Sequence, residues 1–132
     1  MLVKEIMTPK EKLIVLPQTA TVRDALAKMR EYSIRSIIMD KSNINGAYGL
    51  VTFKNILQSI IAEDGDIDLL NVYDIAQAPA ISVSAQLDVK YAARMMVNSS
   101  IKRLLVIDNN ELVGILTMTD IIGVLMDSLD TH

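Results

Sequence analysis

The chain has 132 residues, 51% of them hydrophobic and 22% charged, with a net charge of −3 at pH 7. That length suits one domain or a tight pair of half-domains, and a mean hydropathy of +0.32 excludes global disorder. An acidic balance argues against nucleic acid as a partner, and no apolar run reaches the roughly 18–20 residues that a membrane span needs. The absence of cysteine removes disulfides, thiolate catalysis and zinc–thiolate clusters, and the only histidine is the terminal His132, expected to be a frayed tail.

In chain order, a short helical turn is expected at Val3–Met7, then a strand around Ile14–Leu16. Val22, Ala25, Leu26 and Met29 follow the i, i+3, i+4, i+7 spacing of a helix with one buried face. Strands are expected at Ser36–Met39 and Ala47–Thr52, joined across an Asn45-Gly46 turn, and a second helix opens after Thr52. The acidic stretch from Glu63 to Asp68 lacks the residue order of a calcium loop and reads as a solvated linker. A helical turn at Val72–Ile75 leads to a strand around Ile81–Val83 and a helix with Val89, Ala92, Ala93 and Met96 on one face. Strands at Arg103–Ile107 and Leu112–Thr117 and a helix after Thr117 complete the chain. The methionines at helical spacing are core fillers.

The second half repeats the first. Val22 aligns with Val89, Ala25 with Ala92, Met29 with Met96, Ile34 with Ile101 and Arg35 with Lys102. Beyond a short insertion between Asp40 and Gly46, Gly49 aligns with Gly114, Thr52 with Thr117 and Ile56 with Ile121. The fold class is therefore α/β (α+β), a duplicated β-α-β-β-α unit, with a first domain at 3–62, an acidic linker at 63–70 and a second domain at 71–127.

Each copy ends in a Gly, two apolar residues and a Thr, followed by a polar side chain three residues on: Gly49-Leu50-Val51-Thr52 with Asn55, and Gly114-Ile115-Leu116-Thr117 with Asp120. With the Val-rich strands, the helices carrying Met29 and Met96, and Ile101-Lys102-Arg103-Leu104-Leu105-Val106-Ile107-Asp108, the chain resembles a tandem CBS-domain pair over about residues 3–127. That resemblance implies two domains about a pseudo-two-fold axis. It implies a regulatory module that binds AMP, ADP, ATP or S-adenosylmethionine in the cleft between them. A hydroxyl residue on the first strand and the Asp of the Thr-x-x-Asp ending would hold the ribose. Ser82, within Ile81-Ser82-Val83, and Asp120 match those positions, whereas Val15 and Asn55 replace them in the first copy. The second copy is thus the better nucleotide site.

The chemistry agrees with that assignment. An ionised carboxylate accepts from both hydroxyls of a cis-diol, and Asn55 offers one carbonyl acceptor and no charge. Thr117 supplies a hydroxyl at a helix start, and Thr119 lies beside Asp120. Gly114 leaves room for a planar base, and Lys102, Arg103 and Arg35 offer positive charge for a phosphate. A second reading stands beside this one: Thr117 and Asp120 form a capping box, Ser82 is a surface residue, and Lys102, Arg103 and Arg35 are a solvated edge.

The expected function is a cytoplasmic regulatory module, not an enzyme, since no nucleophile–base pair or metal cluster is visible. It would act on an unknown effector protein, with a ligand-free dimerisation scaffold as the alternative. The N-terminus lacks a signal-peptide core, and Met1 favours a complete chain. The last helix carries Ile121, Ile122, Val124, Leu125 and Met126, and its counterpart Ile56, Leu57, Ile60 and Ile61. That breadth of apolar surface predicts a homodimer with Leu125 or Leu57 near the contact.

Overall fold

The computed structural model describes residues 1–130, and His132 lies outside the described residues. Seven strands form, β1 (Thr8–Pro9), β2 (Val15–Leu16), β3 (Ser36–Met39), β4 (Gly49–Thr52), β5 (Ser82–Val83), β6 (Arg103–Asp108) and β7 (Glu111–Thr117). The α-helices are α1 (Val22–Tyr32), α2 (Phe53–Ile56), α3 (Val72–Ile75), α4 (Val89–Ser99) and α5 (Met118–Asp127). A three-stranded sheet runs β2-β3-β4 and a four-stranded sheet β1-β7-β6-β5. In each, the first strand of the repeat pairs parallel with the second, and the second and third form an antiparallel hairpin.

The compact units do not follow the sequence repeat. One comprises Ile14–Ala80; the other joins Met1–Leu13 to the chain from Ile81 onward. The division at 3–62, 63–70 and 71–127 marks the duplication but not the packing. The lead-in turns decide this. Val3 is fully buried with Leu104, Val106 and Leu116 of the second repeat, whereas Val72 is buried with Ile37 and Val51 of the first. Burying a valine contributes about 1.5–3 kcal/mol, so each exchanged turn is a real part of its host core. Backbone bonds fix both turns, Val3 N–H to Leu87 O at 2.8 Å and Val72 N–H to Ala20 O at 2.8 Å.

The stretch 63–70 likewise belongs to the first unit and is more than a solvated linker. Its acids face solvent, but Ile67 and Leu70 pack against the core. The carbonyls of Leu70 and Ile67 accept from Val22 N–H at 2.9 Å and Arg23 N–H at 3.0 Å. Asp68 Oδ2 accepts from Arg23 Nη2 at 2.9 Å. The guanidinium, by this hydrogen bond first, holds the Asp68 carboxyl below its ordinary range.

The helices begin and end for local reasons. Thr21 Oγ1 accepts from Asp24 N–H at 3.1 Å while Asp24 returns to the Thr21 amide, a capping box at the start of α1. Asp88 accepts from Lys90 N–H at 2.9 Å at the start of α4. Both helices stop at a serine in the left-handed region, Ser33 at φ 53° and Ser100 at φ 54°. The last helices of the repeats differ: α5 is regular, whereas α2 widens after one turn into a π-type segment, Leu57–Ala62.

Candidate ligand-binding site

Register assigns the predicted residues to faces of the second unit's sheet. Ser82 stands opposite Leu105, and Leu105 opposite Ile115, which stands opposite Thr8. Two residues along, Arg103 pairs with Thr117. Paired residues share a face and alternate residues return to it. Ser82, Arg103, Thr117 and Thr8 therefore lie on one face with Leu105 and Ile115, while Val83, Leu104, Val106 and Leu116 fill the core behind. Ser82 is exposed, Arg103, Thr117 and Thr8 are half-buried, and the two apolar residues between them are buried.

Asp120 is drawn to this face by the turn into α5. Thr117 N–H donates to Asp120 Oδ2 at 2.8 Å, and Asp120 N–H donates to Thr117 Oγ1 at 3.1 Å. The capping reading is therefore realised. It does not exhaust the carboxylate, because Oδ1 has no hydrogen-bond partner among the described residues and Asp120 is only half-buried. β5 and β7 are two strand spacings apart, about 10 Å between backbones, a gap that the two side chains and a ligand between them would span.

The other predicted positions separate. Ile81 carries its carbonyl into the ladder, accepting from Leu105 N–H at 3.0 Å. Lys102 is exposed just before β6, and its carbonyl accepts from Met118 N–H at 2.8 Å. Thr119 is exposed in the first turn of α5. Arg35 belongs to the first unit, where its carbonyl accepts from Phe53 N–H at 3.2 Å, matching the role of Lys102.

Gly114 has a packing role in this sheet. It pairs with Val106 and Pro9 and so lies on the core-facing side, opposite to Ser82. A Cβ there would stand 2.4 Å from Thr8 O and 2.9 Å from Met7 Sδ. The missing side chain is what admits β1 to the sheet. Thr8, which joins the polar face through that strand, was missed because the sequence shows no apolar alternation across residues 8 and 9.

The first unit repeats the frame with different chemistry. Val15 stands opposite Ile38 and Ile38 opposite Leu50, with Ser36 paired to Thr52. Thr52 N–H donates to Asn55 Oδ1 at 2.9 Å, and Asn55 N–H donates to Thr52 Oγ1 at 3.3 Å. Thr52 Oγ1 also approaches Asn55 Oδ1 at 3.1 Å, so the only acceptor oxygen of this side chain is taken up within the turn.

Comparison with known proteins places this architecture. The CBS domain family matches residues 3–62 and 72–127. An uncharacterized protein of Methanopyrus kandleri is 31% identical over 107 residues, covering 80% of this chain, and the chain spans only 54% of that relative's length. The hexameric CBS-CP12 protein from bloom-forming cyanobacteria superposes with a TM-score of 0.86 at 31% identity, over 98% of this chain and 73% of that one. CBSX2, solved in complex with AMP, shares the fold with a TM-score of 0.82 at 22% identity, over 96% of this chain and 97% of that one.

Proposed function

This chain belongs to the CBS-domain family as a tandem pair, and from that premise we propose that its second unit binds an adenosine-containing ligand through Asp120, Thr117 and Ser82. The observation that carries the reading is the Asp120 carboxylate, fixed by one oxygen at the mouth of α5 with the other oxygen unspent. An acceptor-only group so placed suits a ribose cis-diol. Arg103 on the same face and Lys102 beside it supply charge for a phosphate, and the AMP bound by CBSX2 supports the ligand class. The ligand is AMP, ADP, ATP or S-adenosylmethionine.

The module is regulatory and not itself an enzyme. It works in the cytoplasm on an effector protein, and no helix among the described residues is long and apolar enough to cross a membrane. Ligand binding changes what the effector meets only if it favours one arrangement of the chain over another. The module acts as a homodimer through α5 and the α2 segment. Leu125 is 66% exposed, Leu57 60% and Ile61 69%, a large apolar area for a monomer to leave in water. The cyanobacterial CBS-CP12 protein, for comparison, is a hexamer.

A ligand-free dimerisation scaffold is the second reading, favoured by Val15 and Asn55 in the first unit. A thermal-shift and calorimetry panel of adenosine, AMP, ADP, ATP and S-adenosylmethionine separates the two. Saturable heat and a raised melting temperature with at least one nucleotide are expected; no response to any of them selects the scaffold. Light scattering on Leu125→Asp tests the dimer, with a 14.6 kDa species expected for the variant and a larger one for the parent.

A further inference from the structure

The outer face of α4 carries charge and apolar surface that nothing in its own unit uses. Lys90 Nζ lies 5.1 Å and the Arg94 guanidinium 5.4 Å from the centre of the Tyr91 ring, so one exposed aromatic is flanked by two cations. Val97, one turn further along the same stripe, is 73% exposed. The helix contains no Asp or Glu, and among the described residues neither cation meets a carboxylate at ion-pair distance. Its N-cap, Asp88, is the nearby acid, and it is engaged by the Lys90 amide. Two like charges at i, i+4 weaken a helix slightly. The matching helix α1 avoids this: Lys28 meets Glu31 at 3.7 Å and Arg23 meets Asp68.

A complementary surface exists on the same chain. Glu63, Asp64 and Asp66 are exposed, and Leu69 beside them is 78% exposed. The segment is preformed, with Leu70 N–H bonded to Asp66 O at 3.0 Å and Gly65 N–H to Ser59 O at 2.9 Å. Docking it would therefore cost little ordering entropy.

We propose that the Lys90–Tyr91–Arg94–Val97 face of α4 docks the acidic segment 63–69 of a second copy of this chain. The two surfaces differ, so the contact is head-to-tail and each copy still offers one free end of it. It is independent of the symmetric contact suggested for α5. Because each copy carries a net charge of −3, the attraction is local and is screened by salt.

Sedimentation velocity on the full chain in a Leu125→Asp background, at low and at high salt, isolates this contact. Three proteins are compared: the background itself, one with Lys90→Glu and Arg94→Glu, and one with Glu63→Lys and Asp64→Asn. Asn is used at residue 64 because its backbone is left-handed, at φ 57°. The background is expected to associate with concentration at low salt and to dissociate at high salt. Each variant alone should lose about tenfold or more in association constant, as expected when close charge pairs are removed. An equimolar mixture of the two variants should recover pairing, because one native contact remains between them. Milder Lys90→Gln and Arg94→Gln substitutions replace the reversals if those disturb folding. Association that is absent, insensitive to salt, lost in only one variant, or not recovered on mixing overturns the proposal.

Discussion

The two units share a backbone frame and differ in what it presents. In both, a threonine closes the last strand and forms a capping box with the residue three positions on. In the first unit that residue is Asn55, whose acceptor oxygen is used within the turn; in the second it is Asp120, with an oxygen to spare. At the equivalent positions, the first strand carries Val15 in one unit and Ser82 in the other, and the second strand carries Ser36 and Arg103. A cap needs only an acceptor of the right length. A cis-diol and a phosphate need charge as well. Duplication has therefore kept the cap in both copies, while the groups suited to a nucleotide stand together in one.

The largest expected effect lies at this difference. Asp120→Ala should weaken AMP binding roughly 10- to 150-fold, the loss for a hydrogen-bond partner that carries charge. Asn55→Ala should change it less than about twofold, since the Asn55 acceptor oxygen is already used within its own turn. Titration calorimetry on both variants checks this, and equal losses would erase the distinction between the units.

The glycines sharpen the comparison in stability. Gly114→Ala drives a Cβ against the Thr8 carbonyl at 2.4 Å, a backbone atom that moves only with β1. Gly49→Ala meets chiefly the Met39 Cε at 2.7 Å, the end of a flexible side chain. Urea denaturation should show a loss of about 1–3 kcal/mol for the first and clearly less for the second. Comparable losses would mean that β1 is not a fixed part of the second unit.

Neutralising Lys102 and Arg103 together should bring AMP affinity down toward that of adenosine, with a shallower salt dependence, and Arg35, in the other unit, serves as the control. S-adenosylmethionine, which has no phosphate, should respond little. If adenosine binds as well as AMP and the double variant is unchanged, these cations are only a solvated edge.

A smaller effect concerns acid. The Lys90 amide donates to Asp88, and this bond first, then the positive N-terminus, holds the Asp88 carboxyl below its ordinary value. Such a group contributes stability that is fully present above its unfolded value, about 4, and is lost as pH falls through the lower folded value. Asp88→Ser keeps an α4 cap that does not titrate. Stability measured against pH should fall more steeply below about pH 4 in the parent than in this variant.

Much of this frame is legible in the sequence because it rests on local periodicity. The i, i+3, i+4, i+7 faces of α1 and α4, the paired hairpins and the Thr52 and Thr117 boxes each depend on residues close in the chain. The exchange of lead-in turns is not legible, because Val3 and Val72 fit either core equally well by type. β1 escapes for a related reason: two residues, one of them proline, carry no alternation, and their partner strand lies more than a hundred positions away. The purpose of Gly114 follows from that strand and was hidden with it. The π-type segment after α2 has no counterpart in its apolar spacing.

The central claim is that the unspent carboxylate oxygen of Asp120, and not the cap it shares with the first unit, recognises the ligand. Asp120→Asn tests it most directly, because Asn55 already demonstrates that an amide can close the same turn. Calorimetric titration of AMP into Asp120→Asn, with the melting temperature measured alongside, should show the fold retained and affinity reduced about tenfold or more. Unchanged affinity in a folded Asp120→Asn protein would contradict the account.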